Sequence, residues 1–337
     1  MKAIVYNDPL PIDHPEALVE TTLPAPEPGP NDLLVRVEAV SVNPVDFKIR
    51  RGVKPTSPRV LGWDAVGTVV ATGASVRGFE IGARVWYAGA LERPGSNAAL
   101  QCVDARLASH APTSLGAAEA AALPLTAITA WELLFERLHI APGKQPQGDV
   151  LLISGAAGGV GSILVQLASR LTGATVVATA GRSASREWVT SLGAHHVVDY
   201  RHPLAPQLAD LGVPAVTHVA SLTHTDQYLD QFIDVLAPFG ELALIDDPPS
   251  LDVMPMKRKS LSVHWEFMFS RSMFGTPDLD AQGKLLAEVA TLVDAGVLKT
   301  TMTQNLGAIT ADNLRQAHAL LERGGARGKV VLSGFEA

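Results

Sequence analysis

The sequence predicts an α/β protein of two domains, one β-rich and one built on a doubly wound parallel sheet. Three observations carry that expectation. The chain has 337 residues, more than one hydrophobic core usually organises. From Val150 onward, short apolar runs alternate with segments at helical spacing, the pattern of strand–helix–strand crossovers. Before about residue 115 the texture differs, with brief strand-like runs punctuated by Gly and Pro.

Residues 33–40 read as a strand, and 68–71 and 84–87 as shorter ones. Pro28-Gly29-Pro30, Gly73, Gly78 and Gly82 separate them. Residues 117–135 are rich in alanine and leucine and read as a helix that Pro124 breaks or kinks. Residues 150–153 form an apolar run of the kind buried in a parallel sheet. Behind it Val160, Ile163, Leu164, Leu167, Ala168 and Leu171 recur at helical spacing, and Gly173 ends the helix. Residues 175–178 are the next strand, and 187–192 a helix stopped by Gly193. Val197-Val198, 216–219, 242–245 and 261–263 complete the strand candidates. After Phe269 the alternation stops. Helices over 280–294 and 311–323 and a strand over 329–332 then need a surface, and the N-terminal β-rich part offers one. We therefore expect residues 1–123 and 269–337 to form one discontinuous domain, with a domain of 124–268 inserted.

Composition narrows the function classes. Apolar residues make up 47% and charged residues 18%, which suits a globular fold rather than a disordered chain. A net charge of -7 lacks the basic footprint of a nucleic-acid binder. The basic run Lys257-Arg258-Lys259 reads as a solvated turn. A single cysteine, Cys102, makes neither an internal disulfide nor a cysteine-rich zinc site, and reads as a small buried hydrophobe. The uncharged stretch 150–169 is long enough to suggest a membrane span. Its glycines and Gln166 favour a strand, turn and helix instead. No leader pattern opens the chain, so a cytoplasmic protein with no membrane partner is expected. No G-x-S-x-G elbow and no G-x-x-x-x-G-K-[ST] loop occurs, which disfavours a hydrolase and a nucleoside triphosphatase.

The most informative segment is Ser154-Gly155-Ala156-Ala157-Gly158-Gly159-Val160-Gly161. It follows a strand and opens a helix, the context in which glycines admit a pyrophosphate to the helix N-terminus. In a G-x-G-x-x-G register the last two glycines are Gly158 and Gly161, and Ala156 takes the first position. Ala157, Gly158, Gly159, Val160 and Gly161 are thus candidate dinucleotide contacts. The second strand ends Thr179-Ala180-Gly181-Arg182-Ser183, with no carboxylate before Glu187. A carboxylate there would hold the ribose hydroxyl of NAD, whereas Arg182 and Arg186 suit the 2′-phosphate of NADP. NADPH is the expected cofactor.

Across nearly its whole length the chain resembles the quinone oxidoreductase branch of the medium-chain dehydrogenase/reductase superfamily. Within that branch it is most similar to the zinc-type alcohol dehydrogenase-like proteins. Met1-Lys2-Ala3, Ser41-Val42-Asn43-Pro44-Val45-Asp46, Leu61-Gly62-Trp63-Asp64-Ala65-Val66-Gly67 and the glycine turn carry the resemblance. So do Ser221-Leu222-Thr223-His224-Thr225, Trp265-Glu266-Phe267-Met268-Phe269 and Gly328-Lys329-Val330-Val331. It implies a GroES-like β-rich catalytic domain beside a Rossmann domain, with the active site in the cleft between them. It also implies reduction of quinones or α,β-unsaturated carbonyls by NADPH, in homodimers.

In zinc-using relatives a cysteine stands at the position of Asn43, and Gly-His-Glu at that of Gly62-Trp63-Asp64. Neither ligand is present, the four-cysteine zinc loop is missing, and no metal site is expected. A conjugated acceptor needs less polarisation than a simple ketone, so the loss points to quinones and enones. Asn43 and Lys48 are the candidate groups for the substrate oxygen, with Asp46 orienting Lys48 or capping the turn. Trp63, Phe267 and Met268 are candidate pocket walls, with core packing as the competing account of Trp63 and Phe267. Thr126, Tyr200, Ser221, Leu222, Ile245 and Lys329 are further cofactor candidates, mainly through the resemblance. Two other readings stand beside this one: an enoyl-thioester reductase, and a catalytically quiet NADPH-binding sensor or partner protein.

Overall fold

A computed structural model describes residues 1–213 and 215–335. The chain divides into two compact units, one of residues 1–128 together with 269 onward, the other Thr129–Met268.

The second unit is a six-stranded parallel sheet. Its spatial order is His196–Val198, Thr175–Thr179, Val150–Ser154, Val216–Ser221, Leu236–Leu244, Ser262–Trp265. Numbered along the chain, that is the 3-2-1-4-5-6 order of a dinucleotide fold, with the switch point beside Val150–Ser154. Helices Gly159–Leu171, Ser183–Leu192, Leu204–Asp210 and Thr225–Val235 make the crossovers. Val150–Ser154 is buried along its whole length, as a central strand covered on both faces must be. One packed layer joins Val150, Leu152, Val177, Val198, Val219, Phe232 and Leu242.

The first unit is mainly antiparallel. Asp32–Ser41 is its organising strand, pairing with Ala65–Thr72, Leu100–Asp104 and Lys329–Ser333. Met302–Asn305, Arg84–Tyr87 and Ala108–His110 extend that sheet. A smaller sheet joins Val19–Thr22, Lys2–Tyr6 and Arg59–Val60. The C-terminal strand therefore lies against Asp32–Ser41, with Val331 opposite Ser41. This places Lys329 near the end of the strand that leads to Asn43.

The alanine-rich stretch does break before Pro124: Ala117–Ala121 ends, and a second helix starts at Pro124 and runs to Trp131. It then continues as a π-helical turn, Glu132–Arg137. Ala117–Arg137 is the one stretch among the described residues long and apolar enough to cross a membrane, and most of it is buried in the protein. Residues 150–169 form a strand and a helix, as their glycines indicate. Cys102 is half-buried on Leu100–Asp104, and burial raises its thiol pKa.

Candidate functional site

The glycine turn occupies the switch point of the parallel sheet. Gly155 leaves the strand with φ +67°, a left-handed conformation that favours glycine. The amide of Gly158 closes the turn on the Gly155 carbonyl at 3.0 Å. Gly158 then caps helix Gly159–Leu171, whose first-turn N–H groups have no partner within the helix. At Gly161 a Cβ would stand 2.5 Å from the Ala156 carbonyl oxygen, so a side chain there would push the helix off the turn. The glycine that the tight turn requires is thus Gly155. Ala156, the first position in the sequence register, is instead buried beneath it. Ala157, Gly158, Gly159 and Val160 keep part of their surface exposed.

A basic group gathers at the carboxyl ends of the two neighbouring strands. Arg182 caps helix Ser183–Leu192 and is exposed. Arg201 donates to the Gly181 carbonyl at 2.5 Å and to the Asp199 carboxylate at 2.9 Å. A Cβ on Gly181 would meet the Tyr200 ring at 3.1 Å, so Tyr200 and Arg201 both pack on the residue preceding Arg182. Arg186 is oriented differently: its guanidinium donates to the Ala180 and Val197 carbonyls. Arg201 escaped the sequence reading, which looked beyond the second strand and not the third. Its signal was its place just after Val197-Val198, because parallel strands bring their carboxyl ends to one edge.

On the other side of the switch point, Ser221 is buried and its hydroxyl pairs with Thr225 at 2.7 Å. The Thr225 amide and hydroxyl in turn donate to Asp246. The Ser221 hydroxyl is therefore part of a network that fixes the strand ends. Leu222 and Ile245 are the half-buried residues flanking it.

In the first unit, Asn43, Asp46 and Lys329 come together with Ser41 and Asp64. Asp64 Oδ2 accepts from Ser41 Oγ at 2.7 Å, Asn43 Nδ2 at 2.7 Å and Lys329 Nζ at 3.0 Å. Its Oδ1 accepts the Leu125 amide at 2.7 Å. Lys329 also donates to the Val42 carbonyl and to Asn43 Oδ1. Asp46 accepts the Asn43 amide at 2.6 Å, the capping interaction that starts helix Pro44–Gly52. Burial pushes the Asp46 carboxyl up to about 7, against the pull of that amide and of Lys329. Lys48, two residues further on the same helix, is exposed.

These contacts revise several roles. The Asn43 amide group donates to Asp64 and at 3.4 Å to the Ser41 carbonyl, so it holds the cluster together. Lys329 directs its ammonium inward onto protein atoms, where the sequence reading had it reaching a cofactor. Thr126 bonds back to the Ala122 and Leu123 carbonyls in the break that precedes its own helix. Trp63 is a core residue: its indole donates to the Ala90 carbonyl at 3.1 Å and its ring meets the edge of Phe269. Phe267 remains 48% exposed, and Met268 is buried. The neighbouring Glu266 was not singled out from sequence. Burial and the adjacent Glu132 carboxyl push its pKa well up, and Arg137 Nε lies 2.9 Å from it.

Comparison with known proteins matches residues 29–128 to the alcohol dehydrogenase GroES-like domain and 192–332 to the zinc-binding dehydrogenase family. A zinc-type alcohol dehydrogenase-like protein of Staphylococcus aureus is 37% identical over 99% of this chain and 100% of its own length. The chain belongs to the zinc-type alcohol dehydrogenase-like proteins of the medium-chain dehydrogenase/reductase superfamily. It is an oxidoreductase of that superfamily.

Solved relatives of this family agree on the fold. A Rhizobium etli CFN 42 protein described as a zinc-dependent alcohol dehydrogenase shares 52% identity over 100% of this chain and 99% of its own, at a TM-score of 0.97. A Coxiella burnetii quinone oxidoreductase shares 27% over 99% of each chain, at 0.82. A mycobacterial protein complexed with NADPH also shares 27% over 99% of each chain, at 0.82. Among sequence relatives, a tomato 2-methylene-furan-3-one reductase is 38% identical over 59% of this chain and 52% of its own.

Zinc, which the family name implies, does not fit the residues here. Trp63 offers no ligand atom, and Asn43 has no soft or imidazole donor to give. Both Asp64 oxygens already accept hydrogen bonds, one from an ammonium.

Proposed function

We propose that the protein is an NADPH-dependent, zinc-independent reductase of quinones or α,β-unsaturated carbonyl compounds. The observation that carries this reading is the buried Lys329–Asp64–Asn43 cluster. It sets a fixed ammonium on Asn43, which stands where zinc-using relatives carry a cysteine, and on Asp64, next to the position of their histidine. Without a Lewis acid, an acceptor that is already a good electrophile is the fitting substrate. The quinone oxidoreductase and furanone reductase among the relatives support that class.

NADPH, when bound, supplies the hydride. The N-terminus of helix Gly159–Leu171 would hold the pyrophosphate, on a turn that Gly155 shapes and that Gly161 lets the helix pack against. Arg182 would hold the 2′-phosphate, with Tyr200 and the Asp199-paired Arg201 beside it, at the end of a strand that carries no carboxylate of its own. The NADPH complex of a mycobacterial relative supports the same choice. Lys48, exposed on the helix capped by Asn43, is the group we assign as proton donor to the reduced oxygen. The buried cluster positions the start of that helix. We take the working form to be a cytoplasmic homodimer whose other partner is the small acceptor.

The test follows NADPH absorbance with 1,4-quinones, enones and simple ketones side by side. Turnover of the first two classes and not of ketones is expected. NADPH binding without any turnover would leave the sensor reading. Arg182→Asp should raise the KM for NADPH roughly tenfold to a hundredfold, the worth of a lost charge-assisted bond, and leave NADH nearly unchanged. An equal loss for both cofactors would remove Arg182 from the phosphate site.

A further inference from the structure

Three side chains far apart in sequence converge on one face of the parallel sheet. Glu241 lies on strand Leu236–Leu244, and His264 on the adjacent edge strand Ser262–Trp265. The register sets Glu241 opposite Ser262 and Ala243 opposite His264. Side chains alternate along a strand, so Glu241 and His264 are diagonal neighbours on the same face. His139 follows the π-helical turn Glu132–Arg137 and brings its ring edge-on to His264, at a centroid distance of 5.5 Å.

We propose that His139, Glu241 and His264 form a binding site for one divalent transition metal ion of the zinc class. His139 Nδ1 lies 3.3 Å from Glu241 Oε2, and His264 Nε2 lies 3.6 Å from the same oxygen. The three ligand atoms all lie within 4.8 Å of one another. Tetrahedral zinc with bonds of about 2.0–2.1 Å separates its ligands by roughly 3.3 Å. Two edges of the tetrahedron are therefore nearly formed, and the third closes with a small side-chain movement. His264 Nε2 is buried, makes no hydrogen bond and lies 3.6 Å from Glu241 Oε2, so it is available as a ligand atom. Two imidazoles and one carboxylate select a transition metal over calcium or magnesium, which take oxygen ligands. His139 is largely exposed, so the fourth position opens to solvent and takes water. The ion would fasten the segment after the π-helical turn to two strands of the sheet. It is distinct from the Asn43–Asp64 cluster, and the inference does not depend on the substrate assignment.

The test is zinc uptake. Chelator-stripped protein is given two equivalents of zinc, desalted and analysed for metal, with a parallel calorimetric titration. One zinc per chain is expected for the wild type, together with a higher melting temperature. Glu241→Gln and His264→Gln should each weaken binding by about tenfold or more. His139→Gln alters an exposed side chain, so it should fold normally and lose both the zinc and the thermal shift. A wild type that takes up no zinc overturns the proposal. So does a bound zinc that survives all three substitutions.

Discussion

Replacing Lys329 by methionine perturbs the buried cluster at its only cation among the described contacts of Asp64. The two side chains are 3% and 0% exposed, and 3.0 Å separates their charged atoms. In Lys329→Met the Asp64 carboxylate keeps its Ser41, Asn43 and Leu125 donors and loses its counter-charge. Breaking a buried pair in this way costs about 3–5 kcal/mol. Asp64→Asn should cost a similar amount, because the ammonium is then left unpaired. The double variant removes both charges, so the two losses should fall short of adding, by about 1–3 kcal/mol. Urea unfolding followed by tryptophan fluorescence reads this out, since Trp63 and Trp86 are buried in the same unit. A single-variant loss below about 1 kcal/mol, or two losses that simply add, would refute the pairing.

Two further outcomes follow from single positions. Gly161→Ala should cost about 1–3 kcal/mol and weaken NADPH binding, because the new Cβ meets the Ala156 backbone. Gly52→Ala, where a Cβ meets nothing, is the control, and equal behaviour of the two would contradict the close approach. His318 is fully buried, and burial lowers its pKa to about 3. The unfolded chain therefore binds a proton below its ordinary 6.5 that the folded chain refuses, and stability falls as pH drops through that window. At pH 5 the loss is about 2 kcal/mol relative to pH 7, and His318→Leu should abolish that component of the pH slope. Parallel slopes for the two proteins would show that His318 does not titrate on unfolding.

The parallel sheet was legible in the sequence because its central strands, Val150–Ser154 and Thr175–Thr179 above all, are buried and read as short apolar runs. Strand Leu236–Leu244 was seen only from residue 242, since Pro238 and Gly240 disguise its first half. Met302–Asn305 was not seen at all, because its four residues carry no apolar alternation and pair at the edge of a sheet. Helix Thr225–Val235 starts from His224 in a left-handed conformation and without a side-chain cap, so the usual start signal is missing. At the site, the glycine turn announced itself through local spacing. The contacts of Lys329 with Asn43 and Asp64 span 286 and 265 residues, and no local pattern encodes them. The same holds for His139, Glu241 and His264: the strand register joins the last two, and the segment after the π-helical turn brings His139 to them.

Hydride transfer without a metal is tested most directly by the rate of NADPH oxidation with a 1,4-quinone after exhaustive chelation. The full rate should persist in protein whose zinc content is close to zero. A rate that vanishes on chelation and returns with zinc would contradict it.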